Sequence, residues 1–197
     1  MENASRDMLL TVATQLFAAR GFSGVSFAEI AAEAAVAPGL LTEMFGTEEA
    51  LYETVLEIQF SLYATRMQPS LQGNYLPPQK IERMAGAICA LHRDSPELFQ
   101  LFYRELLNPS RFFDPIVKKH IRHIAYLSDN NIAKGMQKET LKRGINPANA
   151  TMILLGMFHY FFLASRLHET LLPLPGSDDE YCAQALKIFL NGIKNSP

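Results

Sequence analysis

Two short spacings in this chain have the residue types of metal ligands, Cys89-x-x-His92 and His120-x-x-His123. On a helix, residues three apart share a face on adjacent turns, so each pair could converge on one ion. Each supplies only two of the three or four ligands a zinc site takes. Lys118, Lys119 and Arg122 surround the second pair with positive charge. No metal is expected. A P-loop, G-x-G-x-x-G, H-E-x-x-H and a nucleophile–base pairing are all missing from the sequence, so an enzyme and a cofactor have no support. The remaining chemistry is contact with a polyanion, and here shape and charge conflict. Residues 1–60 read as short helices ending in a helix-turn-helix, yet they hold Arg6 and Arg20 against nine carboxylates, a net −7 without one lysine. Neutralising phosphates usually supplies most of the affinity for DNA.

The elements that must position these residues are helical throughout. Hydrophobic residues make up 48% of the 197 and charged ones 19%, an ordinary balance for a globular chain able to bury a core. Apolar residues recur at helical spacing almost everywhere, which predicts an all-α fold of about nine helices. The first begins after Ser5, turns Leu9, Val12, Ala13, Leu16 and Phe17 inward, and stops at Gly21. Ser26 opens a second, short helix with Glu29 closing a capping box. The turn Ala35-Val36-Ala37 leads to a third from Pro38 to Phe45, and Thr47 caps a fourth running to about Met67 with Leu51, Val55, Ile58 and Leu62 inward. The prolines and glycine of 68–79 mark a loop. Further helices are expected at about 79–93, 96–107, 112–142, 147–169 and 178–194, the third with a possible break near Pro115 or Gly135.

Three N-terminal helices with these residues resemble the TetR family of bacterial repressors. Leu16-Phe17…Gly21, Ser26…Ile30-Ala31 and Ala35-Val36-Ala37-Pro38-Gly39-Leu40-Leu41…Phe45…Glu49-Ala50-Leu51 carry the resemblance over residues 6–58. It implies a helix-turn-helix DNA-binding domain at 1–47, a helical ligand-binding and dimerisation domain at 48–197, operator DNA and a small-molecule effector as partners, and a homodimer. The scaffold positions Ile30, Ala31, Val36, Gly39, Leu41, Phe45 and Leu51 are kept. Those that touch DNA in the family mostly are not: Ala37 stands for a polar cap, Pro38 for a basic or polar residue, and Leu40 for a small polar one. Likewise Thr42 stands for an aromatic, Met44 for a histidine or tyrosine, and Glu48 for a lysine that meets a phosphate. Ser26 alone keeps its contact group. The implied DNA-binding set is thus Arg6, Arg20, Ser26, Ala37, Pro38, Gly39, Leu40, Thr42, Glu43, Met44 and Glu48, with weakened phosphate contacts. Amides at helix N-termini could add to it.

The effector of such a regulator lies inside the helical body. Met84, Ile88, Phe99, Phe102, Tyr103, Phe112, Phe113, Met136, Phe158 and Phe162 are the candidate lining, suited to an apolar or aromatic ligand, with Arg104, Tyr126 and His159 to orient it. Each is also of the type that fills an ordinary core. The helix at 148–169 is apolar nearly all round, and the last carries a stripe of Cys182, Ala185, Leu186, Phe189 and Ile193. Together they read as half of a four-helix bundle completed by a second copy. Cys89 and Cys182 read as two separate buried thiols of a reducing compartment. No signal peptide opens the chain, and the run Met152–Leu163 is too short to span a membrane, so a cytoplasmic protein is expected. A dimer that has lost operator binding and works through a ligand or protein partner is the competing expectation.

Overall fold

The computed structural model describes residues 2–167 and 176–195, with side chains for 6–165 and 176–195. Among them are nine α-helices: α1 (Glu2–Arg20), α2 (Phe27–Glu33), α3 (Pro38–Phe45), α4 (Glu48–Gln72), α5 (Pro77–Asp94), α6 (Pro96–Leu107), α7 (Lys119–Gln137), α8 (Pro147–Leu167) and α9 (Asp178–Ile193). The fold is all-α. The expected cap at Ser5 and the joint at Pro173 fall outside the described side chains and residues.

Two helix boundaries and one buried face differ from the periodicity. The break expected near Pro115 is present as a six-residue π-helical stretch, Phe113–Lys118, but α7 after it ends at Gln137 rather than at 142. Pro115 supplies the reason for the break, since it cannot donate the hydrogen bond that a regular turn needs. α4 continues through Pro69, where a loop was expected. Burial of Met67, Ser70 and Leu71 holds this extra turn, and the Ser70 hydroxyl donates to the Met67 carbonyl at 2.6 Å. Ile58, expected inward, is 43% exposed, while Tyr52, Leu56, Phe60, Tyr63 and Met67 are buried. Leu51 and Val55 are buried as expected, but from Leu56 onward the buried face shifts to Phe60, Tyr63 and Met67 and leaves Ile58 outside.

The chain forms two compact units. One joins Met1–Tyr63 with Ser95–Ile121; the other joins Ala64–Asp94 with Arg122–Pro197. In the first, Leu9, Ala13, Phe17, Ile30, Leu41, Leu51, Val55 and Leu101 are fully buried in one core. The Tyr52 ring stands edge-on to Phe17 at 4.9 Å, and its hydroxyl donates to buried Glu105 at 2.7 Å. The Ser110 amide and hydroxyl donate to the other oxygen of Glu105, at 3.1 and 2.9 Å. Burial and this neighbouring carboxylate hold the Tyr52 phenol far above the ordinary tyrosine range.

In the second unit α5, α8 and α9 pack together. Cys89 and Cys182 are not separate thiols: they form a disulfide joining α5 to α9 across 93 residues of sequence. Only antiparallel packing of those helices brings them together, so neither cysteine's neighbourhood in the sequence announced it. The compartment inference from free thiols falls with it. α8 buries Leu154, Phe158, Phe161 and Phe162 but leaves Met152, Ile153 and Tyr160 more than half exposed. Its segment Pro147–Ser165, mean hydropathy 1.3, is long and apolar enough to cross a membrane by length and composition alone, as core helices also can be, and a third of it is buried inside the fold.

Candidate nucleic-acid interface

α2 and α3 are set by local chemistry. Ser26 caps α2 by accepting from the Glu29 amide, and the Glu29 carboxylate accepts from the Ser26 amide, closing the capping box. The helix ends in a Schellman turn in which the Val36 N–H donates to the Ala31 carbonyl at 2.9 Å. Ala35 takes the left-handed conformation, φ 54°, that this turn demands, at a cost of roughly 1 kcal/mol relative to glycine. Pro38 then opens α3. Gly46, φ 78°, ends it.

The exposed face of α3 consists of Ala37, Pro38, Gly39, Thr42 and Glu43. Ala37 gives no side-chain cap, and a Cβ at Gly39 would meet nothing within 4 Å, so this helix start is bare to an approaching strand. Leu40 and Met44 are half-buried and pack on the core. The threonine hydroxyl and the glutamate carboxylate are therefore the polar groups this face can offer base edges.

Electrostatics at the start of α2 go further against a phosphate. The Phe27 amide donates to Glu48 Oε1 at 2.7 Å. Glu48, which stands where the resemblance implies a phosphate-binding lysine, thus puts its own carboxylate on an α2 amide. Of the helix starts expected to offer amides to DNA, that of α2 is already occupied by two acids of the same compact unit, Glu29 and Glu48. Arg20 donates to Glu29 at 2.7 Å, and the Arg6 guanidinium lies 5.2 Å from the centroid of the Phe45 ring. The Ser26 amide and hydroxyl, then Arg20, hold the Glu29 carboxyl below the usual carboxylate range. Both arginines are engaged within the fold. The role of Glu48 could not be read from the sequence, since its partner lies 21 residues away.

The thirteen side chains expected to line an effector pocket divide between the two units, six in the first and seven in the second. In the first, Phe99 and Phe112 are buried, and Phe113 is half-buried. Phe102 faces Phe60 at 6.4 Å and Tyr103 at 5.5 Å. Arg104 donates from Nε to the Ala18 carbonyl at 2.7 Å and from Nη2 to that of Ala19, so it caps the end of α1. In the second unit Met84, Ile88 and Phe158 are fully buried, Met136 is half-buried, and Tyr126 is 64% exposed. His159 and Phe162 meet His92: the two imidazoles share a hydrogen bond of 2.9 Å, and His92 stacks on Phe162 at 4.3 Å. The second candidate metal pair is separated by its contacts, with His120 on Glu57 at 3.2 Å and His123 exposed.

Burial pushes His159 down to about 4. A base whose folded pKa lies below its unfolded value of 6.5 costs stability as pH falls between the two, because the unfolded chain takes the proton first. By pH 4 the loss is about 3 kcal/mol. Melting curves from pH 7 to 4 should show Asn at position 159 (His159→Asn) losing that much less than the wild type. Parallel curves would mean that His159 is not held neutral.

The sequence model of the bacterial regulatory proteins of the tetR family matches residues 9–55. No curated protein matches the chain. Among solved structures, the ketosteroid transcriptional regulator KstR2 of Mycobacterium tuberculosis superposes with a TM-score of 0.79 at 16% identity, over 97% of this chain and 95% of that one. A candidate fatty acid metabolism regulator of Clostridium perfringens gives 0.80 at 17%, over 96% and 100%. AibR, solved with isovaleryl coenzyme A and operator DNA, gives 0.76 at 16%, over 93% and 96%. These likenesses establish a shared fold. Residues 9–55, the helix-turn-helix, thus match the tetR family of bacterial regulatory proteins, and the chain around them has the fold that these solved regulators share.

Proposed function

We propose that the protein is a homodimeric, ligand-responsive transcriptional regulator that reads a palindromic operator through residues 26–45. Residues 1–47 act as the reader and 48–197 as the effector and dimerisation body. The observation that carries this reading is the bare, exposed start of α3 on an intact helix-turn-helix scaffold. The open face of α8, with Met152, Ile153 and Tyr160 exposed and Gly156 clear of neighbours, supports a second copy there rather than lipid. An apolar or aromatic effector suits the aromatic and methionine side chains of the helical body; KstR2 is described as a ketosteroid transcriptional regulator, and AibR was solved with isovaleryl coenzyme A. The protein acts in the cytoplasm and catalyses no reaction.

A second reading, a dimer without operator binding, is favoured by one contact, that of Glu48 with the α2 amide. A mobility shift at low salt on DNA flanking its own gene separates the two. Retardation at micromolar protein that weakens in Arg6→Ala or Arg20→Ala supports the operator reading. A folded dimer that retards nothing overturns it. Glu48→Lys removes the competing carboxylate and adds one phosphate contact. It should tighten binding about tenfold and steepen the log K against log salt slope by about 0.9. An unchanged slope would show that this helix start does not face the backbone of the duplex.

A further inference from the structure

The second unit holds a concentration of positive charge that the operator reading does not use. A cavity of 380 Å³ is lined by Lys80, Lys134, Asn130, Asn131, Gln72 and two leucines. Lys138 follows one turn after Lys134, its amide bonded to the Lys134 carbonyl at 3.0 Å. Among the described residues none of the three ammonium groups pairs with a carboxylate. Of the nearby acids on these elements, Glu82 pairs with Lys194 at 3.0 Å and Glu139 with Arg143 at 2.5 Å, while one oxygen of the half-buried Asp129 carboxylate on α7 has no hydrogen-bond partner.

Lys134 and Lys138 alone would be ordinary, because they sit at the C-terminal end of α7, where positive charge offsets the helix dipole. Lys80 is the reverse case. It lies in the first turn of α5, the positive end of that helix, and faces two further lysines. Burial and then those two neighbours hold it below the usual lysine range. Pro77 and Pro78 have no N–H, so the α5 start cannot supply amide donors from those positions and the side chains must. The arrangement is also rigid: buried Asn131 donates from Nδ2 to the Pro77 carbonyl at 3.0 Å, locking α7 against the start of α5.

We propose that this cavity binds the diphosphate group of a small molecule, free or esterified, with Lys80, Lys134 and Lys138 supplying the charge and Asn130 and Gln72 further donors. Lysine meets phosphate oxygens as a compact point charge, and a dianion or trianion relieves the mutual repulsion of three ammonium groups. The site does not depend on operator binding and stands or falls separately from it.

Calorimetric titration of the full-length protein with inorganic pyrophosphate and with ADP, without DNA, tests it. Saturable binding is expected with at least one of them, and Lys80→Gln or Lys134→Gln should weaken it about tenfold. Lys187→Gln, an exposed lysine of α9, should bind as the wild type does. Without ligand, Lys80→Gln should melt no lower than wild type, since it relieves repulsion; a purely structural lysine would lower it. The proposal is overturned if neither compound binds, or if sulfate at matched ionic strength has the same effect. It is equally overturned if Lys80→Gln matches Lys187→Gln, or if random duplex DNA alone loses affinity in Lys80→Gln.

Discussion

Reduction of the Cys89–Cys182 bridge is expected to lower the melting temperature by about 9–18 °C. The bridge closes a loop across 93 residues, and a loop of that length restricts the unfolded chain by about 4.6 kcal/mol on entropic grounds. For a chain of this size each kcal/mol moves the midpoint by about 2–4 °C. The ion pairs alongside, Arg93 with Asp179 and Lys194 with Glu82, are exposed and contribute little in its place. Thermal unfolding with and without dithiothreitol measures the effect, and Cys182→Ser should melt like the reduced protein. Alkylation before reduction should modify neither cysteine and after reduction both. Equal melting in the two conditions, or two alkylated thiols at the outset, would remove the bridge as a stabilising element. The same alkylation applied to freshly lysed cells tests the cytoplasmic proposal, because a reducing compartment would keep the pair as thiols.

Truncation of Glu105 should be nearly as severe. Glu105 is 2% exposed and accepts from the Tyr52 hydroxyl, the Ser110 amide and the Ser110 hydroxyl. Glu105→Ala leaves these donors without their acceptor at the floor of a cavity lined by Tyr52, Glu105 and Ser110, a loss of about 3–4 kcal/mol if water does not replace the carboxylate. Tyr52→Phe removes one donor and leaves the carboxylate its other two, so about 1–2 kcal/mol is expected. Chemical denaturation of both variants and the double mutant measures the coupling. If Glu105→Ala costs no more than Tyr52→Phe, water enters the site and the network does not brace α6 against α4. Since Tyr52 also packs on Phe17 and Phe22, loosening it should weaken the reader's core as well.

Local signals survived into the structure where the causes were local. The Ser26–Glu29 box, Pro38 at the start of α3 and Gly46 at its end each act within a few residues, so spacing alone located them. The all-helical fold followed from periodicity for the same reason. The buried face of α4 beyond Leu56 did not, because only the surrounding core decides that Ile58 stays outside.

The sequence by itself determined a helix-turn-helix similar to that of the tetR family, in a segment that lacks lysine and bears excess acid. Those properties are additive over residues and need no coordinates. Tertiary structure decided what the side chains do. It set Glu48 on the Phe27 amide, joined Cys89 to Cys182, buried Glu105 under Tyr52, and gathered Lys80 with Lys134 and Lys138. In each case the partners lie from 21 to 93 residues apart, so their meeting depends on how helices pack, which no window of sequence encodes.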